Sequence, residues 1–219
     1  MMRLSRYSGN PNIAVFAAAG ESLALTAADA APEFERTLES ALGVDVIKMS
    51  IGGSFVVGSL VAFNSNGALV SFLADDAEIF KISSKMNCSR LDDQLNAAGN
   101  NILANDYGAI VNPEYPDSAV KLISDVLGVE VVRSSIAGIN TVGSICRATN
   151  KGCACHMDAS EEEVLLIRDV LKVEALRTTV NHGCRSVGAG ILANSKGAVV
   201  GDESTPIELG KIEDALVLY

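Results

Sequence analysis

The chain has little of what catalysis and nucleic-acid binding usually require. Its 219 residues include no tryptophan and only two histidines, and aromatic residues make up 5%. Acidic residues outnumber basic ones, 27 to 17, which gives a net charge of −10. Sequence-independent binding to nucleic acid depends on Lys and Arg neutralising phosphates, so this charge argues against it. The composition instead suits a compact α/β protein built from small aliphatic side chains.

Paired cysteines and long hydrophobic segments are also missing. The five cysteines are an odd number without paired spacing, so they do not indicate a disulfide framework. We therefore expect a reducing compartment, the cytoplasm. No apolar run approaches the roughly 20 residues that a membrane helix needs, so we expect no membrane partner.

One 14-residue pattern occurs four times along the chain. VGSLVAFNSNGALV begins at Val57, and related segments begin at Ala98, Val142 and Val187. The second residue of each copy is glycine, and another glycine follows nine positions later. Successive copies start 41 to 45 residues apart, which is the length of one supersecondary unit. The paired glycines are Gly58 and Gly67, Gly99 and Gly108, Gly143 and Gly152, and Gly188 and Gly197.

Each copy predicts the same local structure. Apolar runs flank a turn rich in Asn and Gly, residues that tolerate the positive φ of tight hairpins. A helix follows, with capping signals at Ser160–Glu163 and Thr205–Glu208. Gly43 and Gly128 stand where a helix ends in a left-handed residue, and a β-branched third strand comes next. One unit is therefore strand, turn, strand, helix, strand.

Five such units account for the chain. A fifth copy covers Ile13 to Leu25, so the units occupy residues 12–56, 57–97, 98–141, 142–186 and 187–219 of one domain, 1–219. The last unit lacks a third strand, whereas Met2 to Tyr7 belongs to no unit. Unpaired sheet edges favour aggregation, so we expect residues 1–8 to close a ring by supplying that strand.

Few residues are candidates for catalysis, metal binding or phosphate binding. His182 and Cys184 lie two apart in a loop and could act as a base and a nucleophile, but a turn with a free thiol is the favoured explanation, because no motif places a carboxylate to orient the imidazole. Cys153 and Cys155 share a strand face next to His156, which favours core packing over a metal site, because a lone C-x-C-H has no partner ligands elsewhere. No phosphate-binding loop is present, because each repeated glycine leads into a second strand and not into a helix.

The repeats resemble a known family. The relevant segments are AAGN with LANDYGA after Asn96, TVGS with TNKG after Asn140, VGAG with ANSKGA after Ser186, and the ending IEDAL at Ile212. These segments are similar to the archaeal translation initiation factor 6 family. This resemblance spans essentially the whole chain. It implies the pentein fold, an α/β-propeller ring of five strand-strand-helix-strand repeats, in agreement with the five units.

The resemblance also implies a function. Members of this family bind the joining face of the large ribosomal subunit, near the sarcin-ricin loop and against a neighbouring ribosomal protein, and so keep the small subunit from docking. The implied protein is a monomer that uses no catalysis, no metal and no cofactor. In eukaryotic relatives the factor also takes part in subunit maturation, and a GTPase with a cofactor protein releases it.

The implied contact residues directly follow the first glycine of each repeat. They are Ser59, Asn100, Ser144 and Ala189, and their competing explanation is structural, because small residues beside glycine let strands crowd an axis. Asn100 is larger and polar, which favours contact. An alternative function on the same ring is a guanidine-modifying enzyme of the deiminase or amidinotransferase type. That chemistry needs His182 or His156 to converge with Cys184 and carboxylates at the axis.

Overall fold

A computed structural model describes residues 1–219. Fifteen strands form five separate three-stranded sheets, one for each repeat. In every sheet the middle strand runs antiparallel to the first strand and parallel to the third. The strands are β1 (Met2–Ser5), β2 (Ala17–Ala19), β3 (Leu23–Ala27), β4 (Asp45–Met49), β5 (Val61–Phe63), β6 (Gly67–Ser71), β7 (Asn87–Leu91), β8 (Ile102–Ala104), β9 (Gly108–Val111), β10 (Glu130–Arg133), β11 (Arg147–Ala148), β12 (Gly152–His156), β13 (Glu174–Thr178), β14 (Ile191–Asn194) and β15 (Gly197–Gly201).

The N-terminal strand belongs to the fifth sheet. β1 lies parallel to β15, with Met2 opposite Ala198 and Ser5 opposite Gly201. The terminal ammonium adds a hydrogen bond to the carbonyl oxygen of Lys196 at 2.9 Å. β1 thus occupies the third-strand position that residues 187–219 leave empty, and it covers the free edge of β15.

A longer helix follows each of the five middle strands, and the first four of these helices lead on to the third strand of the same sheet. The five helices are α1 (Pro32–Leu42), α3 (Asp76–Ser83), α5 (Asp117–Leu127), α7 (Glu161–Leu171) and α9 (Pro206–Leu216), and we call them the outer helices. The capping boxes at Ser160–Glu163 and Thr205–Glu208 are confirmed. Gly43 and Gly128 end their helices with φ of 59° and 65°, as predicted. No helix combines the length and the hydropathy that crossing a bilayer requires.

The core lies between successive units. The outer helix of one unit packs on the middle strand of the preceding unit: α5 on β6, α7 on β9, α9 on β12 and α1 on β15. The buried hydrophobic residues accordingly form four clusters, each of which combines side chains from neighbouring units. A single repeat cannot bury its own apolar face, so stability comes from the stacking of units.

The residues that begin each repeat form a short helical turn and not the start of a strand. These turns are α2 (Val57–Leu60), α4 (Ala98–Asn101), α6 (Val142–Ile145) and α8 (Val187–Gly190), with a 3₁₀ turn at Ile13–Val15 in the first unit. Each of these five segments contacts two of the others, so they close a ring, and we call them the axial turns. The prediction of a strand at Gly58 and its equivalents was wrong, because four residues are too few to show a helical period.

The second glycine of each repeat also has a different role from the one predicted. Gly67, Gly108, Gly152 and Gly197 do not have positive φ. Instead, a Cβ atom at each would lie 2.0–2.4 Å from a carbonyl oxygen near the end of the next outer helix, at Val126, Val170, Ala215 and Ala41 respectively. Glycine is required here for the approach of two backbones and not for a special turn conformation.

The asparagines of the hairpin turns join neighbouring units. The Asn105 amide donates to the carbonyl oxygens of Thr149 at 3.0 Å and Leu171 at 2.8 Å, both in the next unit. Asn64 and Asn194 make the equivalent pairs of bonds. Their role is to donate hydrogen bonds to buried backbone carbonyls across the boundary between two units. They do not adopt the positive φ that the turn pattern predicted.

The close contact between axial turns predicts that two glycine substitutions will have very different effects on the free energy of unfolding. In Gly99→Ala the new Cβ would lie 1.9 Å from the Gly58 carbonyl oxygen, so we expect the free energy of unfolding to fall by about 3 kcal/mol or more. Gly210 is an exposed residue inside α9 with no atom within 4 Å of its Cβ position, so Gly210→Ala should stabilise by about 0.5–1 kcal/mol. Urea unfolding of both variants measures the difference, and equal stabilities contradict the steric argument.

Candidate functional site

The axial turns are held against one another by backbone contacts. A Cβ atom on Gly58 would lie 2.0 Å from the Ala14 carbonyl oxygen, and one on Gly143 would lie 2.2 Å from that of Gly99. Gly188 meets Gly143 in the same way, at 2.1 Å. Such short separations leave room only for hydrogen, so the five turns occupy fixed positions at one end of the ring.

The residue after each axial glycine is partly exposed on this end of the ring. The set comprises the four predicted positions, Ser59, Asn100, Ser144 and Ala189, and Val15 in the first unit. We call this end the axial-turn face. The structure therefore brings the four predicted residues together around the axis, at equivalent places in successive units.

The polar members of this set differ in how their side chains are bonded. The Ser144 hydroxyl donates to the Thr141 carbonyl oxygen at 2.7 Å. The neighbouring Asn101 is buried and donates its amide to Ala97 at 3.1 Å. Asn100 is bonded only through its backbone N–H, to the Ala97 carbonyl oxygen at 3.0 Å. Its carboxamide is free to bind a partner, whereas that of Asn101 is committed to the turn.

Comparison with known proteins places these repeats in a family. Residues 2–215 match the model of the eIF-6 family. The chain is 47% identical over 216 residues to a translation initiation factor 6 of Methanococcoides burtonii, covering 99% of both chains. It is 38% identical over 214 residues to one of Methanosphaerula palustris, covering 98% of this chain and 97% of the relative. The chain belongs to the eIF-6 family.

In this eIF-6 family member, loops around the axial-turn face are held by glutamates. Glu78, Glu163 and Glu208 each occupy the third position of an outer helix, and each accepts a backbone N–H from the loop before the axial turn of its unit. Glu208 accepts from Gly183 at 2.8 Å and from His182 at 3.1 Å. The start of one helix thereby fixes a loop beside the axial-turn face.

The hydrogen bonds at Glu208 control its ionisation. Burial raises the pKa of this carboxyl, but bonds from Thr205, Thr179 and Gly183 outweigh burial and lower the pKa to about 2. Glu78 in the second unit shows a lowered pKa for the same reasons, burial again being opposed by backbone N–H groups. Both glutamates are charged at neutral pH, and the loops that they bind are fixed as long as that charge remains.

The axial-turn face also carries an apolar patch that the repeat pattern did not reveal. Phe55, Phe72 and Leu73 are 47%, 43% and 49% exposed. Phe72 and Leu73 follow β6, and a Cβ on Gly52 would lie 2.8 Å from the Leu73 Cβ, so the loop before Phe55 adjoins them. Sister units have Asp29, Asp158 or Asp202 after the middle strand, and that contrast is the sequence signal for the patch.

The residues proposed for guanidine chemistry do not meet at the axis. A cavity of about 40 Å³ lies between the first strands, lined by glycine, alanine and aliphatic residues with Phe63, Cys146 and Arg147. Neither histidine and no carboxylate lines it, and Arg147 would repel a guanidinium. His182 is exposed in the loop before α8, where its backbone N–H donates to Glu208. The alternative enzyme function therefore finds no support in this geometry.

The cysteine and histidine residues near the fourth sheet belong to the core. Cys153 and Cys155 are buried in one cluster with Cys146, and burial raises the pKa of Cys155 to about 11. His156 is buried at the end of β12, where its Nδ1 accepts the Asp158 N–H at 3.1 Å. Core packing explains this group of side chains.

The depressed pKa of Glu208 predicts a pH-dependent stability. A carboxyl whose pKa falls from 4.5 to about 2 on folding stabilises the native state above pH 4.5, and the effect is lost as pH falls through 2. We expect Glu208→Gln to cost about 2 kcal/mol at pH 7. Unfolding free energies of wild type and variant should converge towards pH 2.

The control for this prediction is Glu203→Gln. Glu203 is exposed just before α9, so its replacement removes the same charge without breaking a loop contact. Stability curves of wild type and Glu208→Gln that stay parallel from pH 7 to pH 2 contradict the role assigned to Glu208.

Proposed function

We propose that this protein is a translation initiation factor that binds the joining face of the large ribosomal subunit and keeps the small subunit from docking. The match of residues 2–215 to the eIF-6 family carries this proposal. Relatives named translation initiation factor 6, from several archaea, support it along almost the whole chain.

The axial-turn face is the docking surface in this proposal. Its free carboxamide at Asn100 and its half-exposed Ser59 can exchange hydrogen bonds with a partner, because neither side chain is bonded within the chain. Ser144 and Ala189 contribute small surfaces that admit close approach. Since backbone contacts fix the turns, these residues are presented without a loss of loop entropy on binding.

The chemistry of the face favours a protein partner over exposed RNA. Phe55, Phe72 and Leu73 provide apolar surface of the kind found at the centres of protein interfaces. With a net charge of −10 the chain is poorly suited to neutralising phosphates. A ribosomal protein beside the sarcin-ricin loop can contact the apolar patch and does not require phosphates to be neutralised. The bulk of the bound ring then blocks the small subunit.

Several further properties belong to the same proposal. The 219 residues act as one domain and as a monomer in the cytoplasm, without catalysis, metal or cofactor. Inhibition is steric, so it lasts as long as the factor stays bound. A GTPase with a cofactor protein can release the factor and so end the inhibition. The factor can also be bound to the large subunit during its biogenesis.

Sedimentation tests the proposed function directly. Purified protein mixed with separated subunits should move with large subunits in a sucrose gradient and leave small subunits alone. Added in excess, it should lower the fraction of joined ribosomes. Equal binding to both subunits, or unchanged joining at saturation, contradicts the proposal.

Asn100→Glu tests the docking surface. A charged side chain at the centre of an interface should weaken large-subunit binding by about 2 kcal/mol or more, which is roughly a 30-fold rise in Kd. Stability should change by less than about 1 kcal/mol, because the half-exposed Asn100 side chain makes no hydrogen bond within the ring.

The matched control is Tyr107→Glu. Tyr107 is 51% exposed in the hairpin turn of the same unit, at the opposite end of the β8 strand from Asn100. Binding by Tyr107→Glu should equal that of wild type. If the folded Asn100→Glu protein binds normally while Tyr107→Glu is impaired, the opposite face is the docking surface.

A further inference from the structure

One charged residue stands among apolar residues around the ring axis. Counted from the axial glycines, Arg147 is equivalent to Ala18, Ala62, Leu103 and Leu192 in the other units. Those four residues are at most 8% exposed, and the first three line the central cavity together with Arg147. The fourth unit therefore places a guanidinium where every other unit places a small or aliphatic side chain.

The hydrogen bonds of Arg147 leave its charge unpaired. One Nη atom donates to the Gly188 carbonyl oxygen at 2.8 Å. The Nε atom has no partner and no contact with solvent. None of the eight ion pairs includes Arg147, although eight of the chain's other Arg and Lys residues form them.

The neighbouring thiols do not supply the missing negative charge. Burial raises the pKa of both Cys146 and Cys153 above that of an ordinary thiol, so both are neutral at pH 7. Burial lowers the pKa of Arg147 to about 10, which still leaves the guanidinium charged at pH 7. Arg147 as a whole is half-buried, but its Nε is shut off from solvent, and a charge held partly out of water without a counter-ion is costly.

We propose that the central cavity binds a small inorganic anion, such as chloride, against the guanidinium of Arg147. This site is separate from the docking surface and does not depend on the proposed function. The anion would accept a hydrogen bond from Nε and neutralise the charge inside the ring.

The size and lining of the cavity restrict the ligand. Since one water molecule needs roughly 10–15 Å³, the cavity of about 40 Å³ holds an anion with one or two waters. An amino acid or nucleotide is too large. Apart from Phe63 and the neutral thiol of Cys146, the remaining lining is glycine, alanine and aliphatic, and no carboxylate or histidine is present to bind a cation.

Thermal unfolding at constant ionic strength tests the site, with chloride replaced by gluconate, which is too large to enter. In wild type Tm should rise by about 3–6 °C for each ten-fold increase in chloride above its Kd. Arg147→Met should show no such rise. Arg168→Met is the control for surface charge, because Arg168 is exposed on α7 of the same unit and should leave the chloride response intact.

A second measurement covers the case in which Arg147→Met does not fold. Crystals of the wild-type protein grown in bromide should show an anomalous peak within about 3.5 Å of the Arg147 Nε. A cavity that contains only water, or a wild-type Tm that responds equally to chloride and gluconate, overturns the proposal.

Discussion

The contact on which the ring depends is between backbones. At each axial glycine a carbonyl oxygen of the preceding turn occupies the space of a Cβ atom, at 1.9–2.2 Å in all four repeats. Any side chain there forces the turns apart, and with them the first strands that they begin. This steric constraint holds the axial turns around the axis and leaves the residue after each glycine on the surface. The candidate docking surface is thus a by-product of the packing that closes the ring.

Different side chains hold the five boundaries between neighbouring units together. Three of these boundaries carry an asparagine that pairs carbonyls of the next unit, but the fourth repeat has Thr149, whose side chain is too short to do so. There Arg147 donates to Gly188 instead and introduces a charge into the axis. The first repeat has Gly20, and its missing side chain makes room for the Phe63 ring. The pseudosymmetry therefore lies in the backbone more than in the side-chain contacts.

Structure within a repeat was predictable, and so was the closure of the fifth sheet by β1, but the contacts between neighbouring repeats were not. The capping boxes and the left-handed Gly43 and Gly128 involve residues within one turn, so their sequence patterns are complete in themselves. The repeated glycines were recognised, but their reason was misread, because the atoms that exclude a Cβ belong to another unit. Asn100 and Asn101 are chemically identical neighbours, and only the fold distinguishes the free amide from the bonded one. Phe72 and Leu73 differ from their sister positions, yet exposure cannot be read from a single strand end.

The pairing of β1 with β15 has a consequence for the order in which this chain is made. β1 precedes the other strands along the chain, but its partner β15 ends at Gly201, so β1 stays unpaired until the chain has been made as far as Gly201. During that time α1 also lacks the β15 surface on which it packs. Units two to four can stack as they appear, whereas the boundary between the first and the last unit closes only after β15 has been made. The ring therefore closes last at this boundary, and until then the edges of β1 and β15 are both open.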